Sequence, residues 1–456
     1  MFSSLQRRLL LLSVAGLSAC GPITEPRTPI LLGAVLDRTG NNAEPAWAKS
    51  IELARAHVNA ALVADPTLHR QEFKFVLGDS ANDPTVAVRR AKDLVQSQGV
   101  KGLIVDSSQN DIAVNKLAYD MDTSNDLEVP IVCTECTSEA INDPAATDLA
   151  ARNSQKWNYR AVMSHRSTAQ VMVRLLLQLG AGSNGDVNLD RKFKLGVYVA
   201  NEPFGQSFAA EIRAAAELQA PLRPQSPTVS IETSFHPRDA EPNSYEWRAD
   251  LDRLSDAAPD GIPDAIVVAT FAQYHSAFVR SFKGSYNVKV LHAHNFRIES
   301  AVQSLGQLGD DEEGISQAVD GPAAEVFGQE LTAATGVDPG FLDANYYDSA
   351  TMLMLAAIAA GGDDPANVSG AALRDALATL NDPAGEVVHA GSAGVARAVA
   401  LLREGKKINY EGASGPMDFD ANGNVKNVLQ RYRASDGDYE TVENFDCITD
   451  STCPSR

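Results

Sequence analysis

The sequence is poor in positive charge. Its 456 residues include 39 lysines and arginines against 59 aspartates and glutamates, so the formal net charge at pH 7 is −20. Nucleic acids and anionic membrane surfaces repel a chain with this balance of charges. We therefore expect no nucleic-acid partner and no membrane contact through a basic surface.

The sequence also lacks the common signatures of catalysis. It contains no Gly-x-Ser-x-Gly, no His-Glu-x-x-His, no phosphate-binding loop and no dinucleotide-binding glycine fingerprint after Leu36. Its 8 histidines are scattered, and His292 and His294 share one face of a predicted strand without a third metal ligand. We therefore predict no catalytic residue, no metal site and no cofactor.

Long apolar runs are absent beyond the N-terminus. There, Arg7 and Arg8 precede the run Leu9–Gly16, which is shorter than the roughly 20 apolar residues that span a bilayer. A positive start, a short apolar core and small residues at the end are typical of a secretory signal peptide. We assign this peptide to residues 1–19.

The end of this peptide, Leu17-Ser18-Ala19-Cys20, resembles the lipobox of bacterial lipoproteins. In that motif the cysteine is lipidated and becomes the new N-terminus, so residues 20–28 would form a lipidated tether. The lipid would anchor an acidic body outside the cytoplasm, at the periplasmic face or the outer membrane. The alternative is a plain signal peptide in which Cys20 occurs by chance.

Cysteine is scarce in the rest of the chain. Four remain, namely Cys133, Cys136, Cys447 and Cys453, and an exported protein normally joins such residues in disulfides. Four cysteines allow three pairings, and proximity favours 133–136 and 447–453. Cys133 and Cys136 could instead form a redox motif or part of a zinc site, but the pair leaves a strand and has no further ligands nearby.

Strands and helices alternate along the chain without a hairpin signal. Apolar runs at Ile30–Leu36, Leu103–Val105 and Phe193–Ala200 are each followed by a segment with helical spacing. This order predicts α/β units with parallel sheets and helices on both faces. Between Ala220 and Asp264 lie seven prolines, and we expect part of that region to be irregular.

Two loops rich in small polar groups follow neighbouring strands. Asp106–Gln109 comes after Leu103–Val105, and Cys133–Ser138 comes after Pro130–Val132. Small ligands of open α/β sheets bind at this edge, and serine and threonine hydroxyls can hold a carboxylate there. Ordinary turn residues closing the loops are the alternative.

The segment Asn409–Val425 resembles the C-terminal signature of the type I periplasmic binding proteins that bind leucine, isoleucine and valine. Asn201–Gln206, Ala344–Ala350, Leu36–Gly40 and Val100–Ser108 agree with that family in order and spacing, so the resemblance covers residues 29–440. Within the signature, Asn422-Gly423 is predicted as a hairpin turn. A calcium loop is the alternative, and it fails because Leu429 stands where a bidentate glutamate is required.

The resemblance implies two Rossmann-like lobes with parallel central sheets, joined by a hinge of three crossovers and closing on a ligand. The crossovers are expected near residues 160, 295 and 412. The N-terminal lobe would comprise 29–160 plus 296–412 and the C-terminal lobe 161–295 plus 413–440, with a cysteine-containing tail at 441–456.

The resemblance also implies where the ligand binds. In the family, hydroxyl loops bind the α-carboxylate and amino group of the ligand, and aromatic side chains cover the rest. An acid for the ammonium is expected after Leu291, but this chain has His292-Ala293-His294-Asn295, which weakens the case for an aliphatic amino acid. The predicted ligand contacts are Ser107, Ser108, Cys136, Thr137, Ser138, Phe204, Tyr274 and Asn295.

These observations predict a lipid-anchored binding protein rather than an enzyme. Its ligand would be an amino acid or a related small carboxylate, delivered to the permease of an ABC importer. The same fold also serves without transport, so a ligand-sensing or regulatory envelope lipoprotein remains the alternative.

Overall fold

A computed structural model of the chain describes residues 26–118, 126–142, 156–179, 192–219, 228–256, 263–283 and 288–448. The signal peptide predicted for residues 1–19, Cys20 and Cys453 lie outside the described residues. Elements are numbered and counted within the described residues only. In this part of the chain, no helix combines the length and the apolar character needed to cross a membrane.

The first lobe is built on a parallel sheet. Its five strands are β1 Thr28–Leu36, β2 Gln71–Asp79, β3 Leu103–Val105, β4 Ile131–Cys133 and β5 Asn158–Arg160. They lie in the order β2-β1-β3-β4-β5. The apolar sequence of β1 is buried over its last five residues, which is expected of a parallel strand covered on both faces.

The helices of the first lobe come from both ends of the chain. They are α1 Pro45–Ala64, α2 Pro84–Lys92 with a π-helical turn at Asp93–Ser97, α3 Ser108–Ala118, and, much later, α9 Pro322–Thr335, α10 Asp343–Gly361, α11 Gly370–Leu377 and α12 Ser392–Arg403. Helix α10 is almost entirely buried, with polar side chains in its first half and a nearly continuous apolar run in its second half, so it forms the centre of this lobe's core.

The second lobe contains a mixed sheet of seven strands. They are β6 Lys192–Ala200, β7 Thr228–His236, β8 Ala265–Ala269, β9 Lys289–His292, β10 Glu313–Gln317, β14 Val428–Ser435 and β15 Asp438–Asp446. Their order is β15-β14-β10-β9-β8-β6-β7. The strands from β6 to β10 are parallel, and β14 and β15 add an antiparallel hairpin at one edge.

The first helix of the second lobe precedes its sheet, and the others follow its parallel strands. The helices are α4 His165–Leu179, α5 Pro203–Gln219, α6 Trp247–Asp256, α7 Ala272–Phe282 and the short α8 Glu299–Gln303, with 3₁₀ turns at His294–Phe296 and Gly306–Leu308. A third, small sheet consists of β11 Glu386–His389, β12 Ile408–Gly412 and β13 Gly415–Pro416. The predicted α/β class with two lobes and parallel central sheets is confirmed.

The three crossovers between the lobes are hydrogen-bonded to one another. Asn345 Nδ2 of α10 donates to the carbonyl oxygen of Ala161 at 2.6 Å. Gln317 Oε1 accepts from the backbone N–H of Met163 at 3.2 Å, and Gln317 Nε2 donates to the carbonyl oxygen of Ser414 at 2.6 Å. The crossovers therefore form one connected hinge next to the N-terminal end of α10.

The second crossover does not lie where the sequence predicted it. Residues 296–412 were expected in the N-terminal lobe, but β10 pairs with β9 and β14 in the second sheet, so the chain crosses after Gln317. This strand has the polar sequence Glu-Gly-Ile-Ser-Gln and gives no apolar signal. It is stabilised instead by ion pairs of Glu313 with Lys289, Arg431 and Arg433.

Two further expectations are corrected, and a third holds. The region between Ala220 and Asp264 is irregular in part, as expected, at residues 237–246, and it also contains β7 and α6, which its seven prolines flank. The tail predicted for 441–456 begins inside β15. Asn422-Gly423 forms a turn but no hairpin, because Asp420 Oδ1 accepts from the N–H groups of Asn422 and Asn424 and Asn424 forms a bridge to Arg160.

Candidate ligand-binding site between the lobes

Loops at the carboxyl ends of strands from both lobes meet across the hinge. Asn295, which follows β9, donates from Nδ2 to Glu135 Oε1, which follows β4, at 3.5 Å. Arg238, which follows β7, donates from Nη2 to the carbonyl oxygen of Asn82. The carboxyl-terminal edges of both sheets therefore face one common, buried space. In α/β proteins, small ligands bind at this edge.

The predicted hydroxyl loops lie in this space, and their hydroxyls already have partners. Ser107 Oγ donates to Asn82 Oδ1 at 3.0 Å. Ser108 Oγ accepts from the backbone N–H of Ser138 at 3.3 Å. Thr137 Oγ1 lies 2.7 Å from His165 Nε2. The structure brings these residues together, and it uses their hydroxyls to connect the loops to one another.

The two predicted aromatic contacts have different surroundings. The ring centroid of Phe204 lies 4.9 Å from that of His165 and 5.6 Å from that of His294, both of which belong to the second lobe. Tyr274 is 2% exposed, its ring centroid lies 4.9 Å from that of His236 with the rings tilted, and its hydroxyl donates to the carbonyl oxygen of Arg238 at 2.9 Å. Tyr274 therefore belongs mainly to the core of the second lobe.

The centre of the site is Glu135, which the sequence analysis did not select. Asn42 Nδ2 donates to both of its oxygens, at 2.7 and 2.8 Å, and Asn295 adds a longer contact. Both donors are neutral amides. Burial, reinforced by the carboxylates of Asp106, Asp37 and Glu202, holds the pKa of Glu135 well above its ordinary value.

Two aspartates extend the group of buried acids. The backbone N–H of Asp37 donates to Asp106 Oδ2, and Asn110 Nδ2 donates to Asp106 Oδ1 at 3.0 Å. Asp37 accepts the N–H groups of Gly40 at 2.6 Å and Asn42 at 2.8 Å. Burial raises the pKa of Asp37 and raises that of Asp106 to about 7.

The second lobe contributes a fourth buried acid, Glu202, at the end of β6. Its Oε2 atom has no hydrogen-bond partner among the described residues. Burial raises the pKa of Glu202 to about 7, and the charge of Arg238 opposes that rise. The four acids could have been suspected from sequence only by their shared position after strands, a property that many ordinary loop residues also have.

Two buried imidazoles, those of His165 and His294, lie beside Phe204. Burial lowers the pKa of His294 to about 3 and, together with the charges of His294 and Arg160, lowers that of His165 well below its ordinary value. His294 has no hydrogen-bond partner for either ring nitrogen among the described residues. Both rings are therefore neutral at physiological pH.

Arg160 and a disulfide fix the loop that carries Glu135. The Cys133–Cys136 disulfide predicted from sequence is present, with 5.6 Å between the Cα atoms. Arg160 Nη1 donates to the carbonyl oxygens of Thr137 and Ser138 at 3.2 and 2.9 Å. The loop is thus held by a covalent bridge and by a buried cation, which limits the movement of Glu135.

The same disulfide bears on metal binding. Asp111, Cys133 and Cys136 place potential ligand atoms within 4.8 Å of one another. The two sulfurs are bonded to each other, so they are not thiolates and cannot coordinate a metal. Cys447 is also disulfide-bonded, and its predicted partner Cys453 lies outside the described residues.

A groove lies at the surface next to this site. It has a volume of about 570 Å³ and runs between the loop 40–44 of the first lobe and Ala272, Gln273 and Ser276 of the second. Asn42 lines the groove and is also the hydrogen-bond donor to Glu135. The groove therefore adjoins the buried acids through one shared side chain.

Known structures share this two-lobed architecture. A leucine-binding protein from Thermotoga maritima aligns with a TM-score of 0.66 at 15% identity, over 91% of this chain and 99% of that chain. A branched-chain amino acid transporter substrate-binding protein from Streptococcus pneumoniae, in complex with isoleucine, gives 0.64 at 15% identity over 91% and 99%. An ABC transporter solute-binding protein from R. palustris, in complex with benzoate, gives 0.64 at 14% identity over 91% and 96%.

At these identities the structural likeness establishes the fold alone, and no curated protein has a sequence significantly similar to this chain. The family assignment comes from the sequence itself, which matches the family described as periplasmic binding protein over residues 29–428. That match covers most of the chain and contains elements of both lobes, but it ends where β14 begins. The chain therefore belongs to the periplasmic binding protein family.

Proposed function

We propose that this protein is an extracytoplasmic solute-binding protein that captures a small organic solute between its lobes and delivers it to the permease of an ABC importer. The family, the two-lobed fold and the similarity to ABC transporter solute-binding proteins support this function. The observation that carries it is the convergence of Glu135 and Asn295 from opposite lobes at one buried site.

The hinge supports capture by closure. The three crossovers are bonded to Asn345 and Gln317, while the contacts between the lobes at the site are a few hydrogen bonds such as Arg238 to Asn82. A connected hinge, with few contacts between the loops that face each other across the site, allows the lobes to open without unfolding. A ligand that contacts loops of both lobes would favour the closed state.

Thermal-shift measurements of the purified mature protein would test solute binding. The panel should contain amino acids, amines, amides and aromatic acids, after refolding to remove any solute carried from expression. A ligand at 100 times its Kd adds about 2.7 kcal/mol of stability, which is readily measured. Small-angle scattering should then show a smaller radius of gyration with the stabilising solute. No shift with any class would contradict the proposed function.

The anchor is proposed separately, from Leu17-Ser18-Ala19-Cys20. Cys20 would carry the lipid and hold the protein at the membrane surface, so that delivery to a permease occurs close to the bilayer. Intact mass spectrometry of the native protein should show acyl chains on residue 20. Cys20→Ser should move the protein from the membrane fraction to the soluble fraction, and an unchanged distribution would contradict the anchor.

A further inference from the structure

We infer that the site between the lobes selects a solute with a cationic nitrogen and no adjacent carboxylate, bound by Glu135, Glu202 and Asp106. This inference rests on the proposed solute-binding function and specifies the chemistry of its ligand. A primary ammonium, an amidinium or a guanidinium has the required charge and hydrogen-bond donors.

The first argument is the imbalance of charge at the site. Asp37, Asp106, Glu135 and Glu202 are all buried, and each of the other three carboxylates acts electrostatically on Glu135. The hydrogen-bond donors to Glu135 are the neutral side chains of Asn42 and Asn295. Buried acids are normally paired with cations. The charge of Arg238 acts on Glu202 but does not offset the effect of its burial, and the charge of a cationic solute would complete this group.

The second argument is the kind of atom that lacks a partner. Among the described residues, Asn42 Oδ1, Asn295 Oδ1 and Glu202 Oε2 are buried acceptors without a donor. The amide nitrogens of Asn42 and Asn295 face Glu135, which fixes their orientation and leaves both amide oxygens as acceptors. Such atoms normally have partners. In the described part of the chain, His294, whose neutral ring carries one N–H, and the Tyr346 hydroxyl also lack partners, but the three acceptors lie on the residues that surround Glu135 and favour a ligand that donates hydrogen bonds.

The third argument concerns the groups that would bind a carboxylate. The hydroxyls of Ser107, Ser108 and Thr137 bond to Asn82, Ser138 and His165, so they connect loops. A carboxylate placed beside them would also face Asp106 and Glu135 in surroundings with little water. Like charges at short distance in a buried site repel strongly, which disfavours an acid or a zwitterion.

Isothermal titration calorimetry with matched solutes tests the inference on the full mature protein. Each carbon skeleton is offered as an amine, an acid and an amino acid, for example 2-phenylethylamine, phenylacetate and phenylglycine, and butylamine, butyrate and 2-aminobutyrate. Agmatine adds a guanidinium. We expect an amine or guanidinium to bind at least tenfold more tightly than its acid and amino-acid counterparts.

The outcomes separate the inference from the proposed function. Equal or tighter binding of an acid or an amino acid would overturn the inference and leave solute binding established. The absence of binding by every class would contradict both.

Charge-neutral variants then locate the binding groups. Glu202→Gln and Glu135→Gln should each weaken binding of the preferred cation at least tenfold, whereas Glu217→Gln, an exposed site on α5, should change it less than twofold. Circular dichroism and thermal melting confirm that each variant is folded. If Glu135→Gln fails to fold, Glu202→Gln still decides, because its Oε2 has no partner to lose. Unchanged affinity in folded Glu202→Gln would overturn its assigned role.

Discussion

Two buried carboxyl groups, one at the hinge and one at the candidate site, have very different hydrogen-bond donors. Asp348 of α10 accepts from Tyr410 Oη, from the N–H groups of Ala413 and Ser414, and from Ser414 Oγ, at 2.6 to 3.0 Å. Glu135 accepts from two neutral amides that have further hydrogen-bonding capacity of their own. Both are fully enclosed by protein.

The difference distinguishes a structural acid from a binding acid. Burial raises the pKa of Asp348 to about 6, and its four donors oppose the rise. The pKa of Glu135 is raised by burial and raised further by three neighbouring carboxylates. A buried carboxylate with a full set of hydrogen-bond donors stabilises the native state. A buried carboxylate that has few donors and lies near other acids can gain more from binding a ligand.

The largest effect is expected from Asp348→Asn. The amide keeps one acceptor and turns an NH₂ group toward N–H and O–H donors, so the hinge loses hydrogen bonds and gains a repulsive contact. We expect a loss of about 2–4 kcal/mol in the free energy of unfolding, measured by urea denaturation at pH 7. Asp375→Asn, at an exposed position, is the control and should cost under about 0.5 kcal/mol. Equal stability of the two variants would remove the distinction drawn above.

Arg160→Lys tests how the hinge supports the site loop. The guanidinium donates to Asn424 Oδ1 and to the carbonyl oxygens of Thr137 and Ser138, and an ammonium cannot reach all of them. The free energy of unfolding should fall by about 2–3 kcal/mol, and ligand affinity should fall because the loop is looser. Guanidinium chloride denaturation and calorimetry measure the two effects. A variant with unchanged stability would show that the loop does not depend on Arg160.

Glu202→Gln should stabilise the unliganded protein, with a defined pH dependence. The folded-state pKa of Glu202, about 7, lies above its unfolded value. The free energy of unfolding of the wild type therefore falls as pH rises from about 4.5 to 7, because Glu202 must ionise in a buried position. The variant should therefore be more stable than wild type by about 1–2 kcal/mol at pH 7.5 and nearly equal at pH 4.5. Urea denaturation across this range measures the difference. A variant that is less stable at pH 7.5 would mark Glu202 as structural, like Asp348.

The smallest effect is expected from the hydroxyl loops. Ser108→Ala and Thr137→Ala remove contacts to Ser138 and His165, so each should lower the free energy of unfolding by about 1 kcal/mol. Affinity for the preferred cation should change less than about twofold, because no ligand contact is lost. A tenfold loss in calorimetry would show that the hydroxyls bind the solute, as the family resemblance implied.

The sequence predicts the fold well where a buried strand consists of consecutive apolar residues. Strands such as β1 are buried on both faces and appear as continuous hydrophobic runs. Strand β10 has no such run. Its place in the sheet is stabilised by ion pairs of Glu313 with Lys289, Arg431 and Arg433 from other strands. The position of the second crossover depends on that strand and was therefore predicted wrongly.

Some of the loops that form the candidate site were predicted from the sequence, but the buried acids at its centre were not. Serines 107 and 108 identified one of the converging loops, and Asn295 identified another. Glu135 stands inside the Cys133–Cys136 pair, and its neighbours Asp106 and Glu202 are distant in sequence. The acids come together only when loops from both lobes converge in the folded protein. No local sequence pattern predicts which loop acids will do so.

The most direct test of a cation-binding site is proton exchange during binding, measured by calorimetry at pH 6.5 in buffers of different ionisation enthalpy. Asp106 and Glu202, with pKa values of about 7, are largely protonated in the unliganded protein at that pH. A bound cation would favour their ionised forms, so the account predicts that an amine binds with release of protons to the buffer. Binding of an amine without proton release, or uptake of protons with a carboxylate as the preferred ligand, would contradict it.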